Sequence, residues 1–513
     1  MASPSLAERV VVTAEQMQAI ETRLFAAGLP VAALMEKVAN RLSQRLMAEY
    51  PDRQQRWGIW VGPGHNGGDA LVVARELHLQ GYPVQIWHPF ERRKPLTEAH
   101  LQFAQHLGIP ITNTYPDSCD RWLDGGFGFG LSRTLNEASQ AAIAYLNASG
   151  KPICSIDLPS GLDTDRGEPL GAAIAAERTV CLGLWKQGLL QLAAAPWRGQ
   201  LERLDFGIPE ADIVAVLGSN PPRQILTDAR AIAALPLPLA TDAHKYRRGH
   251  LLLIVGSQRY RGAALLAAIA ARASGVGMVT LAVPEHLSAI AVAQVPEALV
   301  LACPETAAGE IAELPLDCDR YSAIAIGPGV GTGSSIRSVL QQVLQQARSL
   351  LIDADALTVL AQHPEDWTLR LAGSATVITP HAGEFQRLFG SVPTPETVDA
   401  AVAEHSVILV RKGPSPTVAT PTGTSWSLVD STPALARGGS GDVLTGLLGG
   451  LLAQTDAVSA AIAATWWHSR TAQAIARTHS PLGVSPTDLA AQLAFWLGQR
   501  LRSDSAHGYL TRE

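Results

Sequence analysis

The chain is poor in the features that mark several large protein classes. Its five cysteines, Cys119, Cys154, Cys181, Cys303 and Cys318, are scattered and form no CxxC pair. That excludes a disulfide framework and predicts reduced, mostly buried thiols in a cytoplasmic protein. Charged residues are only 17% of the chain, the formal net charge is −6, and no basic block stands out. Glu91-Arg-Arg-Lys94 and Lys245-Tyr-Arg-Arg248 are short clusters of the kind found on solvated faces. Nucleic acid is therefore not expected as a main partner. No apolar run reaches membrane length, because the segment from Ala263 is broken by Arg272 and several glycines, so no membrane association is expected. The stretch Met1 to Val10 has no apolar signal core. No Walker A motif occurs.

What is present is an ordinary globular composition, 47% hydrophobic over 513 residues, enough for two to four domains that each bury a core. Thr13-Ala-Glu-Gln16 fits a capping box that opens a helix, and a second helical pattern covers Val31 to Leu46. The apolar run Trp57-Gly-Ile-Trp-Val61 predicts a buried strand, Gly62–Asp69 a glycine-rich loop, and Ala70 to Leu79 a helix. With a strand at Tyr82–Trp87 this makes a βαβ unit whose turn can offer backbone N–H groups to phosphate. Two further strand ends carry acids: Asp124 before Gly125-Gly-Phe-Gly-Phe-Gly130, and Asp157 with Ser160 just past Pro152–Ile156. Ligands in open α/β sheets sit outside the carboxyl ends of the strands, so these loops predict one pocket. Taken singly, Asp124 before glycine is also a common turn.

The pattern fades between about 215 and 240, where Gly218-Ser-Asn-Pro-Pro222 and the prolines at 236 and 238 lie. A boundary at 222/223 gives domains 1–222 and 223–513. The second half restarts with a strand in Gly249–Ser257, a helix at Gly262–Arg272, and strands at Met278–Val283, Ala323–Ile326, Leu350–Ile352, Ala375–Ile378 and Val407–Val410. Nearly every strand runs into a loop with chemical character: Gly327-Pro-Gly-Val-Gly331, Asp353-Ala-Asp355, Thr379-Pro-His-Ala-Gly-Glu384 and Lys412-Gly-Pro-Ser-Pro-Thr417. Strands alternating with helices predict α/β architecture with a mostly parallel sheet in each half.

The stretch around which the second half is organised is Arg437-Gly-Gly-Ser-Gly-Asp-Val-Leu-Thr-Gly446. Gly438 to Gly441 lead into Asp442, and the apolar pairs that follow recur every four residues, one face of a helix. Two readings stand beside each other here. One is a glycine turn with an acidic N-cap. The other is an anion hole at a helix N-terminus, next to a base that takes the proton of a hydroxyl attacking phosphate. The Asp pair, Lys412 and His381 on neighbouring strand-end loops fit phosphoryl transfer, which needs mainly positioning and charge stabilisation and brings Mg²⁺ on the phosphates.

Gly438–Gly446 resembles the loop of ribokinase-like enzymes. Combined with His244-Lys245, Gly262-Ala263, Gly327-Pro-Gly329, Asp353–Leu357 and Thr379–Glu384, it resembles the ADP-dependent NAD(P)H-hydrate dehydratases. The first half resembles NAD(P)H-hydrate epimerase through Leu34-Met-Glu36, Gly62–Asp69, Asp124 with Gly128–Leu131, and Ser155–Gly161. The order of the two halves is similar to that of the bifunctional NAD(P)H-hydrate repair enzymes. The resemblance implies a Rossmann-like three-layer αβα domain followed by a ribokinase-like αβα domain. It implies substrates formed when NADH or NADPH gains water across the nicotinamide C5–C6 bond. The first domain would interconvert the R and S hydrates. The second would dehydrate the S form with ADP as co-substrate, releasing AMP, phosphate and NAD(P)H.

Residue by residue, the resemblance implies Asp442 as the base that activates the hydrate hydroxyl toward ADP. Ala263, Gly329, His381 and Asp442 match hydrate-binding positions. Lys412, Gly413, Pro414, Ser415, Pro416, Thr417 and Gly441 match nucleotide-binding positions. In the first domain the hydrate site maps onto His65, Asn66, Gly67, Gly68, Asp69, Gly128, Phe129, Gly130, Leu131, Ser132, Arg133, Thr134 and Asp157. Asp157 is the candidate acid/base. Asn66, Asp124 and Ser160 match the ligands of a potassium ion. Lys186 is either an assistant to Asp157 or a solvated strand-end lysine. His65, Phe127 and Phe129 depart from the commoner Asn and Gly-Thr-Gly of the family. A homo-oligomer is expected. The rival reading is a ribokinase-like small-molecule kinase with a non-catalytic N-terminal binding or assembly domain.

Overall fold

The computed structural model describes residues 5–116 and 119–505. The chain divides into two compact units between Ile225 and Leu226. Among the described residues no helix is long and apolar enough to cross a membrane.

In the N-terminal unit the capping box at Thr13 forms as expected and opens helix α1 (Ala14–Ala26), followed by α2 (Val31–Glu49). The strands are β1 (Trp57–Val61), β2 (Val84–Trp87), β3 (Ile111–Thr112), β4 (Arg121–Gly125), β5 (Ile153–Ile156), β6 (Arg178–Leu182) and β7 (Gln200–Leu204). They form one parallel sheet in the order β3-β2-β1-β4-β5-β6-β7. Alternation along β1 and β4 divides the core into two layers. Trp57, Ile59, Val61 and Leu123 pack with α2, whereas Trp60 and Trp122 pack with the helix Glu137–Ala148. The chain reverses direction of travel between β1 and β4, so their following loops lie side by side. Gly62 N–H donates to the Gly125 carbonyl at 3.1 Å there.

One expectation is corrected here. Helix α3 (His65–Leu79) starts at His65 and not at Ala70, so His65 to Asp69 form its first turns and not a loop. Two consecutive glycines ordinarily weaken a helix start. Here they are required by close approach: a Cβ on Gly67 would lie 2.0 Å from the Gly62 carbonyl oxygen.

The C-terminal unit contains helix α4 (Arg261–Ala273) and the strands β8 (His250–Ile254), β9 (Met278–Pro284), β10 (Leu299–Cys303), β11 (Ala323–Ile326), β12 (Ser349–Ile352), β13 (Ala375–Ile378), β14 (Ile408–Arg411), β15 (Thr417–Ala419) and β16 (Ser425–Ser427). They run in the order β16-β15-β14-β13-β12-β11-β8-β9-β10. Pairing is parallel from β14 to β10 and antiparallel through β15 and β16. Leu251 and Leu253 face one core and Leu252 and Ile254 the other, so both faces are covered by helices. The α/β class thus holds in both units. The direction of travel reverses between β8 and β11, where Gly256 N–H donates to the Pro328 carbonyl at 2.9 Å.

Candidate functional site

Each unit gathers polar groups at its own sheet switch point. In the N-terminal unit a cavity of about 1060 Å³ opens over the ends of β1, β4 and β5. His65, Asn66, Asp69, the loop Gly128–Thr134 and Asp157 all line it, as the sequence pattern predicts for one pocket. Gly67 and Gly68 do not line it; they are buried in the first turns of α3. Asp157 follows β5 with φ of +69°, a backbone state that an L-residue adopts only under constraint. Its Oδ1 accepts from Lys186 Nζ at 2.5 Å and from Leu182 N–H at 3.2 Å, and its Oδ2 accepts from Phe129 N–H at 3.2 Å.

Lys186 is 1% exposed, which overturns the reading of a solvated strand-end lysine. A short parallel pair, Val11–Val12 with Trp185–Lys186, fixes its backbone. Its ammonium also donates to the Leu182 carbonyl and lies 5.7 Å from the Phe129 ring centroid. Although burial opposes its charge, Asp157 holds the Lys186 pKa above the ordinary value.

Asp124 and Ser160 do not line the cavity; both are completely buried. Asp124 accepts from Ser155 Oγ at 2.7 Å, Ser160 N–H at 2.9 Å, Ser160 Oγ at 2.5 Å and Gly126 N–H at 3.1 Å. It forms no ion pair among the described residues. Burial raises its pKa, and the Ser160 bonds oppose that rise. Asn66 Nδ2 is buried with no hydrogen-bond partner among the described residues.

Two charged residues at the cavity wall were not singled out by the sequence pattern. Glu21 reaches it from α1 and Lys94 from the N-cap of the helix Pro95–His106. Burial raises the Glu21 pKa to about 7, with Lys186 pulling the other way. Burial, then Asp157, pushes Asp69 well above the carboxylate range. Burial, then Lys94, lowers His65. Nothing in the local sequence marks Glu21 as different from any polar residue of an amphipathic helix.

In the C-terminal unit Asp442 lies in the first turn of helix α5 (Ser440–Leu452), whose N-cap Gly439 has φ of +97°. The N–H groups of Gly441 and Asp442 have no acceptor among the described residues. They are orphan donors at the positive end of a helix. From below, buried His468 on α6 (Ala457–His479) hydrogen-bonds the Ser440 carbonyl at 2.9 Å through Nε2. Burial lowers the His468 pKa to about 4, so the ring is neutral near pH 7 and Nε2–H is the donor.

Behind Asp442 lies a charged network. Lys412 Nζ is 2.8 Å from Asp353 Oδ1 and 3.5 Å from Glu384 Oε2. Thr445 Oγ1 donates to Asp353 Oδ2 at 2.6 Å. Burial, then repulsion from Asp353, raises the Asp442 pKa to about 6 against the pull of Lys412. Lys412 loses charge stability through burial, yet Asp353 and Glu384 hold its pKa above the ordinary value.

The other predicted positions fall into two groups. Gly329 (φ +63°) abuts Ala263: a Cβ there would come within 3.1 Å of the Ala263 Cβ. His381 is the N-cap of the helix Ala382–Phe389, its Nδ1 accepting from Gly383 and Glu384 N–H. In the loop after β14 only Lys412 directs its side chain at the acids. Ser415 Oγ donates to the Val429 carbonyl, and Thr417 Oγ1 bonds Ser427 and Arg411. The Ser415 and Thr417 hydroxyls are thus engaged elsewhere, whereas Gly413 and Pro414 are exposed.

Comparison with known proteins follows the same division. Residues 251–494 match the family model described as NAD(P)H-hydrate dehydratase, and residues 31–188 the model described as YjeF-related protein N-terminus. The chain is 47% identical over 504 residues to a bifunctional NAD(P)H-hydrate repair enzyme of Synechocystis sp., covering 96% of each. It is 31% identical to the enzyme of that description from Dictyoglomus turgidum, over 86% of this chain and 89% of that one. Among solved structures, 54% of the chain aligns with 98% of an ADP/ATP-dependent NAD(P)H-hydrate dehydratase from Bacillus subtilis co-crystallized with ATP/Mg²⁺, at 29% identity and a TM-score of 0.47.

Proposed function

This chain belongs to the bifunctional NAD(P)H-hydrate repair enzymes, and we propose from that premise which of its residues carry each half of the repair. The C-terminal unit dehydrates the S hydrate and the N-terminal unit interconverts the epimers. The observation that carries the first assignment is Asp442 beside two unused N–H donors at a helix N-terminus.

In this reading Asp442 takes the proton of the hydrate hydroxyl, whose oxygen attacks the terminal phosphate of ADP. The Gly441 and Asp442 N–H groups receive the growing negative charge on the transferring phosphoryl group. Lys412, held by Asp353 and Glu384, supplies a fixed positive charge behind it. Mg²⁺ enters on the nucleotide phosphates, the usual arrangement for this ion. AMP departs, phosphate then leaves C6 where hydroxide would not as the ring nitrogen supplies the electron pair, and loss of the C5 proton completes the C5–C6 double bond. Ala263 and Gly329, which lie side by side, are the proposed contacts of the nicotinamide ring together with His381. A base with a pKa of about 6 predicts a pH profile of defined sign. Dehydration should be constant above pH about 7 and fall roughly tenfold per pH unit below about 5. A kcat/KM profile with no acid limb counts against Asp442.

In the N-terminal unit the cavity holds the hydrate, with Asp157 as acid/base and Lys186 fixing its charge. Beneath it Asp124 is a buried carboxylate without a cationic partner among the described residues; Ser160 bonds to it, and Asn66 backs onto the adjoining Gly125. Oxygen donors around an uncompensated charge suit a hard monovalent cation, and potassium is the proposed occupant. Its bound charge would hold the loop after β4 in place.

The testing assay uses mixed R and S NADPH-hydrate with ADP, Mg²⁺ and K⁺, followed at the reduced-nicotinamide absorbance. Complete recovery is expected. Recovery that stops at the S fraction when sodium or choline replaces potassium would support the cation site. No recovery at all would overturn the dehydratase assignment. A kinase of the ribokinase type would instead leave phosphate on its product.

A further inference from the structure

We propose that Glu21 is the second proton-transfer group of the epimerising cavity, giving a proton to the hydroxyl that leaves while Asp157 takes one from the water that arrives. The inference rests on the reading of that cavity as the epimerising site.

Inverting a carbon that bears both a hydroxyl and the ring nitrogen has a simple requirement. The C–O bond breaks with its electron pair on oxygen, the oxygen takes a proton and departs as water, and the nitrogen lone pair closes a C=N⁺ bond. Water then adds to the other face of that carbon and gives up a proton. One water leaves and one enters, and no oxidant or reductant is needed. The departing and arriving oxygens lie on opposite faces of one ring. A single carboxyl group at a fixed point serves one face well, so two groups are wanted.

The cavity has two that differ in kind. Asp157 is tied in place by Lys186 and two backbone N–H groups. Glu21 makes no hydrogen bond or ion pair among the described residues, although it lines the same cavity. It is brought there by a rigid element. Helix α1 is capped by Thr13, anchored by Ala14 N–H donating to Asp165 at 2.8 Å, and buried along Met17, Ile20 and Leu24. Glu21 and Phe25, one turn apart, both face the cavity. An unpartnered carboxyl on a fixed helix at a ligand cavity needs a reason beyond packing.

The charged and titratable groups facing Glu21 are Lys186, Asp157 and Lys94, together with Asp69 from α3. Burial outweighs the two lysines and brings Glu21 to about 7, where it can both give and regain a proton. Asp69 is held well above the carboxylate range by burial and Asp157, which suits a fixed hydrogen-bond donor and not a group that cycles. After one turnover Glu21 is ionised and Asp157 protonated. That is the starting state for the reverse conversion, and exchange with cavity water resets it.

The test uses the full chain and purified R NADPH-hydrate, with the epimers separated by chromatography between about pH 5 and 9. Wild-type kcat is expected to fall as pH rises through about 7. Glu21→Gln should lower kcat about 100-fold, change KM less than about threefold, and remove that alkaline limb. Glu21→Asp should retain a limb. Dehydration of the S hydrate should be unchanged in both. Epimerisation by Glu21→Gln at the wild-type rate, or with the alkaline limb intact, overturns the proposal. If the Gln variant lacks a folding transition, the limb of Glu21→Asp decides, and its absence is the overturning result. Asp157→Asn run alongside separates the two levels. If it epimerises normally, the cavity is not the site and the proposal fails with it; if it is inactive while Glu21→Gln is normal, only the role of Glu21 fails.

Discussion

Replacing Asp442 with Asn should lower kcat for dehydration about 1000-fold and leave epimerisation untouched. The amide keeps the size of the side chain and removes only the proton acceptor, and general bases of this kind contribute roughly 100- to 10,000-fold. Folding should not suffer. Asp442 stands near Asp353 and Asp355, so removing its charge relieves repulsion that burial has already made unfavourable. Nucleotide binding should persist as well, because the Gly441 N–H and the Lys412 charge remain. The measurement is steady-state recovery of reduced-nicotinamide absorbance from S NADPH-hydrate, with nucleotide affinity by calorimetry on the same preparation. A variant that retains more than about a tenth of the activity would remove Asp442 from the role of base. The helix would then serve as an anion hole alone.

Lys186→Met should have the largest effect on stability. Lys186 and Asp157 are a buried pair at 2.5 Å, with side-chain exposures of 1% and 4%. Breaking such a pair by removing one partner costs about 3–5 kcal/mol, because the other charge is left uncompensated. The methionine fills most of the lysine volume, so little of that cost comes from a cavity. Denaturant unfolding should show the loss in the transition of the N-terminal unit, and epimerisation should fall about 100-fold or more. Adding Asp157→Asn to Lys186→Met should recover much of the stability and none of the activity, since the stranded charge is gone but so is the acid/base. An unfolding midpoint for Lys186→Met equal to the wild type would show that the pair contributes nothing net.

Period and punctuation made much of the architecture legible. Apolar runs of four to seven residues ending in glycine, proline or acid read as buried parallel strands, and nearly all appear where expected. Hydrophobic spacing placed the helices, and loops at strand ends marked where ligand groups would cluster. The start of α3 at His65 was not legible. Glycine is a poor helix former by itself, and only the nearby Gly62 carbonyl makes glycine necessary at 67.

The sequence by itself determined the two α/β halves, the strand-end acids and the pairing of Asp442 with a glycine-rich helix start, because these depend on neighbours within one turn or one strand. Tertiary structure alone decided what each group faces. It buried Lys186 against Asp157, turned Ser415 and Thr417 away from the acids, sealed Asp124 beneath the cavity, and brought Glu21 to a wall shared with residues more than a hundred positions away. Charge, burial and proton affinity are properties of such surroundings, and surroundings assembled from distant segments leave no local pattern in the chain.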